Sequence, residues 1–410
     1  MTWLVVSVGL LLLVFLHELG HFTVALAVGI RPRSFYVGFP PAVVKVRRKG
    51  IEYGIGAIPL GGLVRIPGMH RPAPRDLEAF TASALREEPA LSAYVQRVRR
   101  PLEAGDFAGA RDALPELRHE IEHVQLSAGA RRSANRALRE IDEGTGDDAY
   151  WRAPTWKRVA VIAAGPVMNI LVAFLIFTIV YATGAPTGNA TTRVGEVERN
   201  TPAATAGLKA GDRVVAVNGK AAATFERVSK LIRSSRGRPI TVTVRRGGST
   251  VTLGPQPTKR SPDGRWIWGF IPAIERVSYP VGHSARLAAN DCWQVVAGTV
   301  RALGAVFHKK ERGQLTSAVG IVRVSQQALK VGFSYYLQIV GLVSMSLALL
   351  NLLPFLPLDG GHILFSVIER IRRRAVAREV YERVSVVGFG LIPLLTFIAL
   401  SNDLGGGTPR

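Results

Sequence analysis

His17, Glu18 and His21 stand in the order His-Glu-Leu-Gly-His, and on a helix the two histidines fall four residues apart on one face. Two imidazoles so placed can share one Zn²⁺ while the glutamate stands beside a water acidified by the metal, which is the chemistry of amide hydrolysis. The spacing recurs at His119-Glu120-Ile121-Glu122-His123, so the five-residue pattern alone does not identify a site. The surroundings separate the two copies. The second lies in a charged stretch, where Glu, His and Arg are ordinary solvated helix residues, with Glu140 and Glu143 downstream as candidate third ligands. The first lies between Leu16 and Phe22 in an apolar run. A charge there costs roughly 2.5–3.5 kcal/mol on insertion scales and needs compensation, which metal binding supplies. The blander alternative is a polar cluster that only pairs helices.

A catalytic zinc takes three protein ligands and keeps one position open, so a third ligand is required. Asp359 is the best placed, in the run Asn351-Leu-Leu-Pro-Phe-Leu-Pro-Leu-Asp359-Gly360-Gly361-His362, and His362 is its rival. By itself Asp359 reads as a turn residue before two glycines. An incomplete metal site at the same depth gives it a different role.

The elements that must position these groups follow from hydropathy. Four segments, about 3–30, 159–183, 335–356 and 384–400, approach the ~20 apolar residues that a helix needs to cross a bilayer, the last being short and containing Pro393. The fold class expected is a multi-pass α-helical membrane protein. The first apolar run has no basic residues before it and exceeds the ~7–15 residues of a signal-peptide core, so it is expected to be a retained membrane helix. Arg370, Arg372, Arg373, Arg374 and Arg378 place the short basic loop 362–380 in the cytoplasm. Counting back, 31–157 is cytoplasmic, while 185–334 and both termini are extracytoplasmic. His17 and His21 then lie in the cytoplasmic half of the first helix, where Asp359 also arrives.

Between the helices the character changes. A Gly-rich segment, 43–66 within 31–70, reads as membrane-associated strands: Val43, Val44 and Val46, then Ile51, Tyr53, Ile55 and Ile58, with Gly54, Gly56, Gly61 and Gly62 interspersed. Residues 71–150 are charged and carry helical spacing, as in Leu114, Leu117, Ile121 and Val124, which predicts an inserted domain of two to four cytoplasmic helices. Residues 188–256 alternate strand-like and helix-like runs separated by Asn218-Gly219 and Gly247-Gly248, a small α+β module. Residues 283–330 read as amphipathic helices with His308, Lys309, Lys310 and Arg312 near a membrane surface, and Gly405, Gly406 and Gly407 as a disordered tail.

The net charge of +22 over 410 residues is scattered, and no aromatic-plus-basic face accompanies it. A nucleic-acid partner is therefore not expected, and attraction to an anionic lipid bilayer is the simpler account. Cys292 is the single cysteine, which excludes an intramolecular disulfide and a cysteine metal site.

Four landmarks in order resemble the site-2 protease family of intramembrane zinc metalloproteases, in the branch of the bacterial regulator-of-sigma-E protease. They are HELGH at 17–21, YGIGAIPLGGLVRIPGM at 53–69, WKRVAVIAAGPVMN at 156–169 and NLLPFLPLDGGH at 351–362. The resemblance covers most of the chain outside 71–150. It implies Zn²⁺ held by His17, His21 and Asp359, with Glu18 as catalytic acid and base. It implies a location in the bacterial inner membrane, with the active site toward the cytoplasm. It implies single-pass membrane proteins as substrates, such as an anti-sigma factor or a remnant signal peptide. It further implies that 188–256 is an extracytoplasmic PDZ-like domain, which the AGLKAGDRVVAVNG run at 206–219 suits. Gly56, Gly61 and Gly62 would pair with extended substrate, and Asn351, Gly165 and Asn169 match positions near the site. Two features depart from the family: Leu63 stands where a tyrosine is expected, and the helical insertion, with whatever cytosolic partner it binds, has no counterpart. The competing class is a catalytically idle membrane scaffold, against which the intact His17, Glu18, His21 and Asp359 weigh. A transporter with intramembrane ionisable groups is a more distant alternative.

Overall fold

The computed structural model describes residues 2–261, 264–305, 318–376, 380–386 and 388–390. The chain divides into two compact units, Met1–Ile176 with Ala289–Arg410, and Phe177–Ala288.

The first unit is organised by apolar helices. Helix α1 (Thr2–Ala27) leads into strands β1 (Ser34–Arg48) and β2 (Ile51–Arg65). A helical cluster follows: α2 (Pro74–Glu87), α3 (Ser92–Ala104), α4 (Phe107–Asp112), α5 (Leu114–His123) and α6 (Ala128–Thr145). Helix α7 (Thr155–Gly184) begins in this unit. The C-terminal part contributes α11 (Ala318–Val331), α12 (Phe333–Asn351) and α13 (Asp359–Arg372), after α10 (Val281–Ala305). Among the described residues α1, α7 and α12 are long and apolar enough to cross a membrane. All three leave large apolar side chains exposed, such as Leu4, Val8 and Leu12 on α1, Val167, Leu171 and Leu175 on α7, and Leu342 and Leu350 on α12. Contiguous apolar surface on this scale is unfavourable in water and favourable in lipid, so this is a membrane protein. The expected fourth span, 384–400, lies largely outside the described residues, as do His308, Lys309, Lys310, Arg312, Arg378 and the glycine tail.

Several boundaries differ from those expected, each for a physical reason. The strand region begins at Ser34 rather than Val43, because Phe35 and Tyr36 are already extended and buried. Helix α12 stops at Asn351 rather than 356, since Pro354 and Pro357 cannot continue a helix. The expected basic loop 362–380 is helical through Arg372, with Phe365 and Ser366 facing inward, a periodicity that charge counting overlooks. The insertion holds five α-helices rather than two to four. Gly105, in the left-handed region, ends α3, and Asp106 caps α4 by accepting from the Gly109 N–H, so a run that looks continuous is cut. These helices bury their own core, including Leu77, Val98, Leu117, Ile121 and Leu138.

The β1–β2 pair folds back on itself. Residues 34–37 sit between 52–55 on one side and 62–65 on the other, while 42–48 pairs with 51–56. Residues 62–65 are thus left at one edge of the sheet.

The second unit is an α+β module larger than the stretch 188–256. Strands β3 (Ala185–Val197), β4 (Arg213–Val217), β5 (Lys220–Ala221), β6 (Pro239–Arg246) and β7 (Ser249–Pro257) are joined by β10 (Phe270–Val277), which pairs with β3 from beyond the expected boundary. A small pair, β8 (Lys259–Arg260) and β9 (Trp266–Ile267), stands apart, and helices α8 (Pro202–Thr205) and α9 (Phe225–Ser234) complete the unit. Val228 and Ile232 of α9 pack with Val214, Val242 and Val244 in its core.

Asp212 pins the loop before β4. It accepts from Arg246 Nε at 2.8 Å, Arg246 Nη2 at 2.7 Å and the Lys209 N–H at 2.8 Å. The Arg246 guanidinium, followed by the Lys209 N–H, outweighs burial and holds the Asp212 carboxyl below its ordinary value. A depressed carboxyl stabilises the folded state above its unfolded pKa of about 3.9, and that contribution disappears as pH falls through the folded value. The thermal midpoint of this unit in the full chain is therefore expected to fall more steeply on acidification below about pH 4 in wild type than in Asp212→Asn. Parallel curves would remove Asp212 from that role.

Candidate metal centre

Helix α1 turns a stripe inward that contains Leu13, His17, Gly20, His21 and Ala25. Both histidines are buried against α7. The His21 Nδ1–H donates to the Val161 carbonyl at 2.8 Å, which fixes the tautomer and leaves Nε2 with a free lone pair. Asn169 Nδ2 lies 3.2 Å from His17 Nδ1, while its Oδ1 is buried without a partner. Turning the amide end for end lets Oδ1 accept from the His17 Nδ1–H, satisfying both groups and again freeing Nε2. The Ser344 hydroxyl, from α12, holds the Asn169 carbonyl at 2.8 Å.

Asp359 comes from the other end of the chain. It is the first residue of α13, and the Gly360 that follows lies against the Leu352 and Leu353 carbonyls, where a Cβ would not fit. Helix α13 is tied to α7 by a largely buried ion pair, Arg158 to Glu369 at 2.7 Å, and the Tyr150 hydroxyl reaches both the Arg158 carbonyl and Ser366 at 3.4 Å. Burial pushes that Tyr150 hydroxyl up to about 12, so it stays protonated and able to donate. Asn169 is a residue that the resemblance placed near the site, whereas the Val161 carbonyl and the Arg158–Glu369 pair were not legible as support for it from motif spacing. A buried arginine at the head of an apolar helix, needing an acid, was the available signal.

The outcome is a triangle of ligand atoms. His17 Nε2 lies 3.2 Å and His21 Nε2 3.4 Å from Asp359 Oδ2, and the two nitrogens are 3.2 Å apart. A tetrahedral zinc about 2.0–2.1 Å from each ligand sets those atoms about 3.3 Å apart, so the triangle has the dimensions of a zinc face. Asp359 Oδ2 is buried and lacks a hydrogen-bond partner, the condition of an atom that serves a cation. The donor set, two imidazoles and one carboxylate, suits zinc. Among the described residues no other group of three or more such side chains converges in this way.

Glu18 stands beside the triangle and hydrogen-bonds the Val64 backbone on the edge strand. Gly62 lies against it, since a Cβ there would come within 2.5 Å of Glu18 Cγ. Gly165 lies against the Nε2 atoms of His21 and His17, where any Cβ would collide with the imidazoles. A cavity of 530 Å³ is lined by His17, Glu18, His21, Gly61, Gly62, Asn351, Asp359 and His362, among others. Asn351 Nδ2 is 3.5 Å from His17 Nε2. Gly56 departs from the expectation. It packs against the Phe39 carbonyl and Gly38 inside the sheet and does not line the cavity. His362 lines the cavity but lies outside the triangle.

The second histidine pair is built differently. His119 and His123 are exposed on α5, and His123 Nδ1 bonds the His119 carbonyl. Their expected third ligands are engaged elsewhere, Glu140 by Arg136 at 2.8 Å and Glu143 by Arg65 at 2.7 Å.

Residues 5–395 match the model of the family described as Peptidase family M50. An Agrobacterium fabrum protein named as a candidate zinc metalloprotease is 30% identical over 408 residues, covering 96% of this chain and 93% of that one. The zinc metalloprotease RasP of Geobacillus kaustophilus is 28% identical over 413 residues, covering 96% and 95%. The regulator of sigma-W protease RasP of Bacillus subtilis is 25% identical over 411 residues, with the same coverage.

Proposed function

This chain belongs to peptidase family M50, and from that premise we propose how it acts, which residues act and on what. It is a zinc metalloendopeptidase that works within the membrane. His17, His21 and Asp359 hold the zinc and Glu18 is the acid and base. The observation that carries the assignment is the triangle of buried donor atoms beside Glu18, on a helix whose other faces are apolar. When bound, the zinc supplies Lewis acidity, polarising the scissile carbonyl and acidifying the attacking water. The Glu18 carboxylate accepts that water's proton and returns it to the departing amine nitrogen. Asn169 and the Val161 carbonyl keep both imidazoles in register while this happens.

The substrate is a single-pass membrane protein whose helix unwinds at the site, because a helical backbone has its carbonyls hydrogen-bonded and shielded. The unwound segment lies along residues 61–65, whose outer edge is free of strand pairing and faces the cavity through Gly61 and Gly62, a cavity that Asn351 also lines. The chain sits in a bacterial inner membrane with the site toward the cytoplasm. The module from β3 to β10 is a PDZ-like domain on the outer side that screens or docks substrates, and the five-helix insertion is cytoplasmic. An anti-sigma factor is the substrate class that the name of the Bacillus relative favours.

The full-length protein in detergent tests this with two single-pass substrates, one with a Gly-Asn pair in its membrane helix and one with Leu-Leu. The first is expected to be cut at least about tenfold faster, and a chelator is expected to stop cleavage until zinc is restored. Cleavage that survives chelation would refute the metal-dependent assignment.

A further inference from the structure

The sheet formed by β1 and β2 has two chemically distinct ends. Gly62 lies against Glu18, and Val37 pairs with both Gly62 and Ile55, so one end sits at the level of the metal centre. From Ile55 the strand returns four residues to Ile51, about 13 Å in extended backbone. From Glu18 to Ala27, α1 advances nine residues, also about 13 Å. The turn joining the strands, at Lys49 and Gly50, therefore lies at the depth of the C-terminal end of α1, which charge placement assigns to the cytoplasmic leaflet.

That turn carries Arg47, Arg48 and Lys49 in succession, all exposed; Arg47 lies across the strand pair from Glu52 and interacts with its carboxylate, while Arg48 and Lys49 make no ion pair among the described residues. Lys45, one pleat inward, is already engaged by Glu52 at 3.7 Å. Between the turn and the metal centre the sheet exposes Val46 at 62%, and at the level of the centre it exposes Val44 and Ile55, each at 57%. Apolar side chains left bare on a sheet, closing in three exposed cations against a single carboxylate at interfacial depth, form the pattern of an element that lies in lipid and ends among headgroups.

We propose that Arg47, Arg48 and Lys49 form a binding site for anionic phospholipid headgroups, which anchors the sheet whose other end forms the catalytic edge. The inference rests on the membrane-embedded reading above. Charge complementarity selects the occupant, because the cytoplasmic leaflet is the anionic surface at that depth. Since 34–37 bridges 52–55 and 62–65, fixing the turn also fixes the edge strand beside Glu18. Anionic lipid is thus expected to raise the cleavage rate as well as to bind.

The test uses the full-length chain, delipidated in a neutral detergent and offered phosphatidylglycerol, phosphatidylcholine or inorganic phosphate, with bound lipid counted by native mass spectrometry. Wild type is expected to retain phosphatidylglycerol over phosphatidylcholine, with retention falling as salt rises. Arg47→Ala, Arg48→Ala and Lys49→Ala should each weaken it roughly fivefold, and the triple variant on the order of 100-fold. The Arg47→Lys/Arg48→Lys variant keeps the charge and should retain lipid, which guards against a turn that no longer folds. In vesicles, the excess rate on phosphatidylglycerol over phosphatidylcholine should vanish in the triple variant, while the rate on phosphatidylcholine stays unchanged. Equal retention of both lipids by wild type, wild-type retention by the triple variant, or displacement by inorganic phosphate at lipid-like concentrations would each overturn the proposal. Glu18→Gln should bind lipid normally, so loss of lipid binding and loss of the protease assignment give different results.

Discussion

Glu18→Gln is expected to lower cleavage of a single-pass substrate by about 10²–10⁴-fold, the range that a general base contributes, while zinc content stays at the wild-type level. Glutamine matches glutamate in volume, which matters where Gly62 leaves no slack against the side chain. Its amide can still interact with the Val64 backbone, so the edge strand keeps its place. It cannot accept the proton of an attacking water near neutral pH. Glu18 also lies outside the triangle of His17, His21 and Asp359, so removing its charge leaves all three ligand atoms in position. Parallel assays of product and of protein-bound zinc separate the two roles. Cleavage at the wild-type rate would sink the assignment of Glu18, and zinc loss with activity loss would make Glu18 a ligand instead.

The legibility of this site in the sequence followed from how local each constraint is. HELGH is a local signal, since four-residue spacing and an apolar context suffice to put two imidazoles on one buried face. Asp359 was reachable only by matching depths along three spans, and α13 does bring its first residue to the histidines although the surrounding segment looked like a loop. Two of the groups that hold the ligands in place were not legible. The Val161 carbonyl has no side-chain signature, and the Arg158–Glu369 pair joins residues over two hundred positions apart. Gly56 and Gly62 show the limit of composition most sharply. Both are glycines of one strand, yet one packs against Phe39 and Gly38 while the other packs against the Glu18 side chain. Only register distinguishes them, and register depends on a sheet that pairs with itself twice. The insertion departs from its expected helix count for the opposite reason, because caps at Gly105 and Asp106 break a periodic run that spacing alone would leave whole.

Zinc content across a set of variants decides which of the two H-E-x-x-H sequences is the metal centre. His17→Ala and Asp359→Ala each remove one corner of the triangle and are expected to weaken zinc binding by at least about 100-fold, beyond the 10–100-fold that loss of an outer-shell partner costs. Asn169→Ala removes such a partner and should fall within that lower range. His119→Ala should leave zinc unchanged, because its ring stands on an exposed helix face with Glu140 and Glu143 committed to arginines. Gly165→Val is the sharper probe, since it alters no ligand. Its Cβ would occupy the space of the His21 and His17 nitrogens, and the neighbouring α7 backbone cannot yield while Lys157 and Arg158 tie that helix to the Val28 carbonyl and to Glu369. The imidazoles must move instead, so zinc should be lost to the same degree as in His17→Ala with the helical content preserved. Stoichiometric zinc in Gly165→Val, measured by atomic absorption on protein of wild-type circular dichroism, would mean that the metal is held somewhere other than against α7.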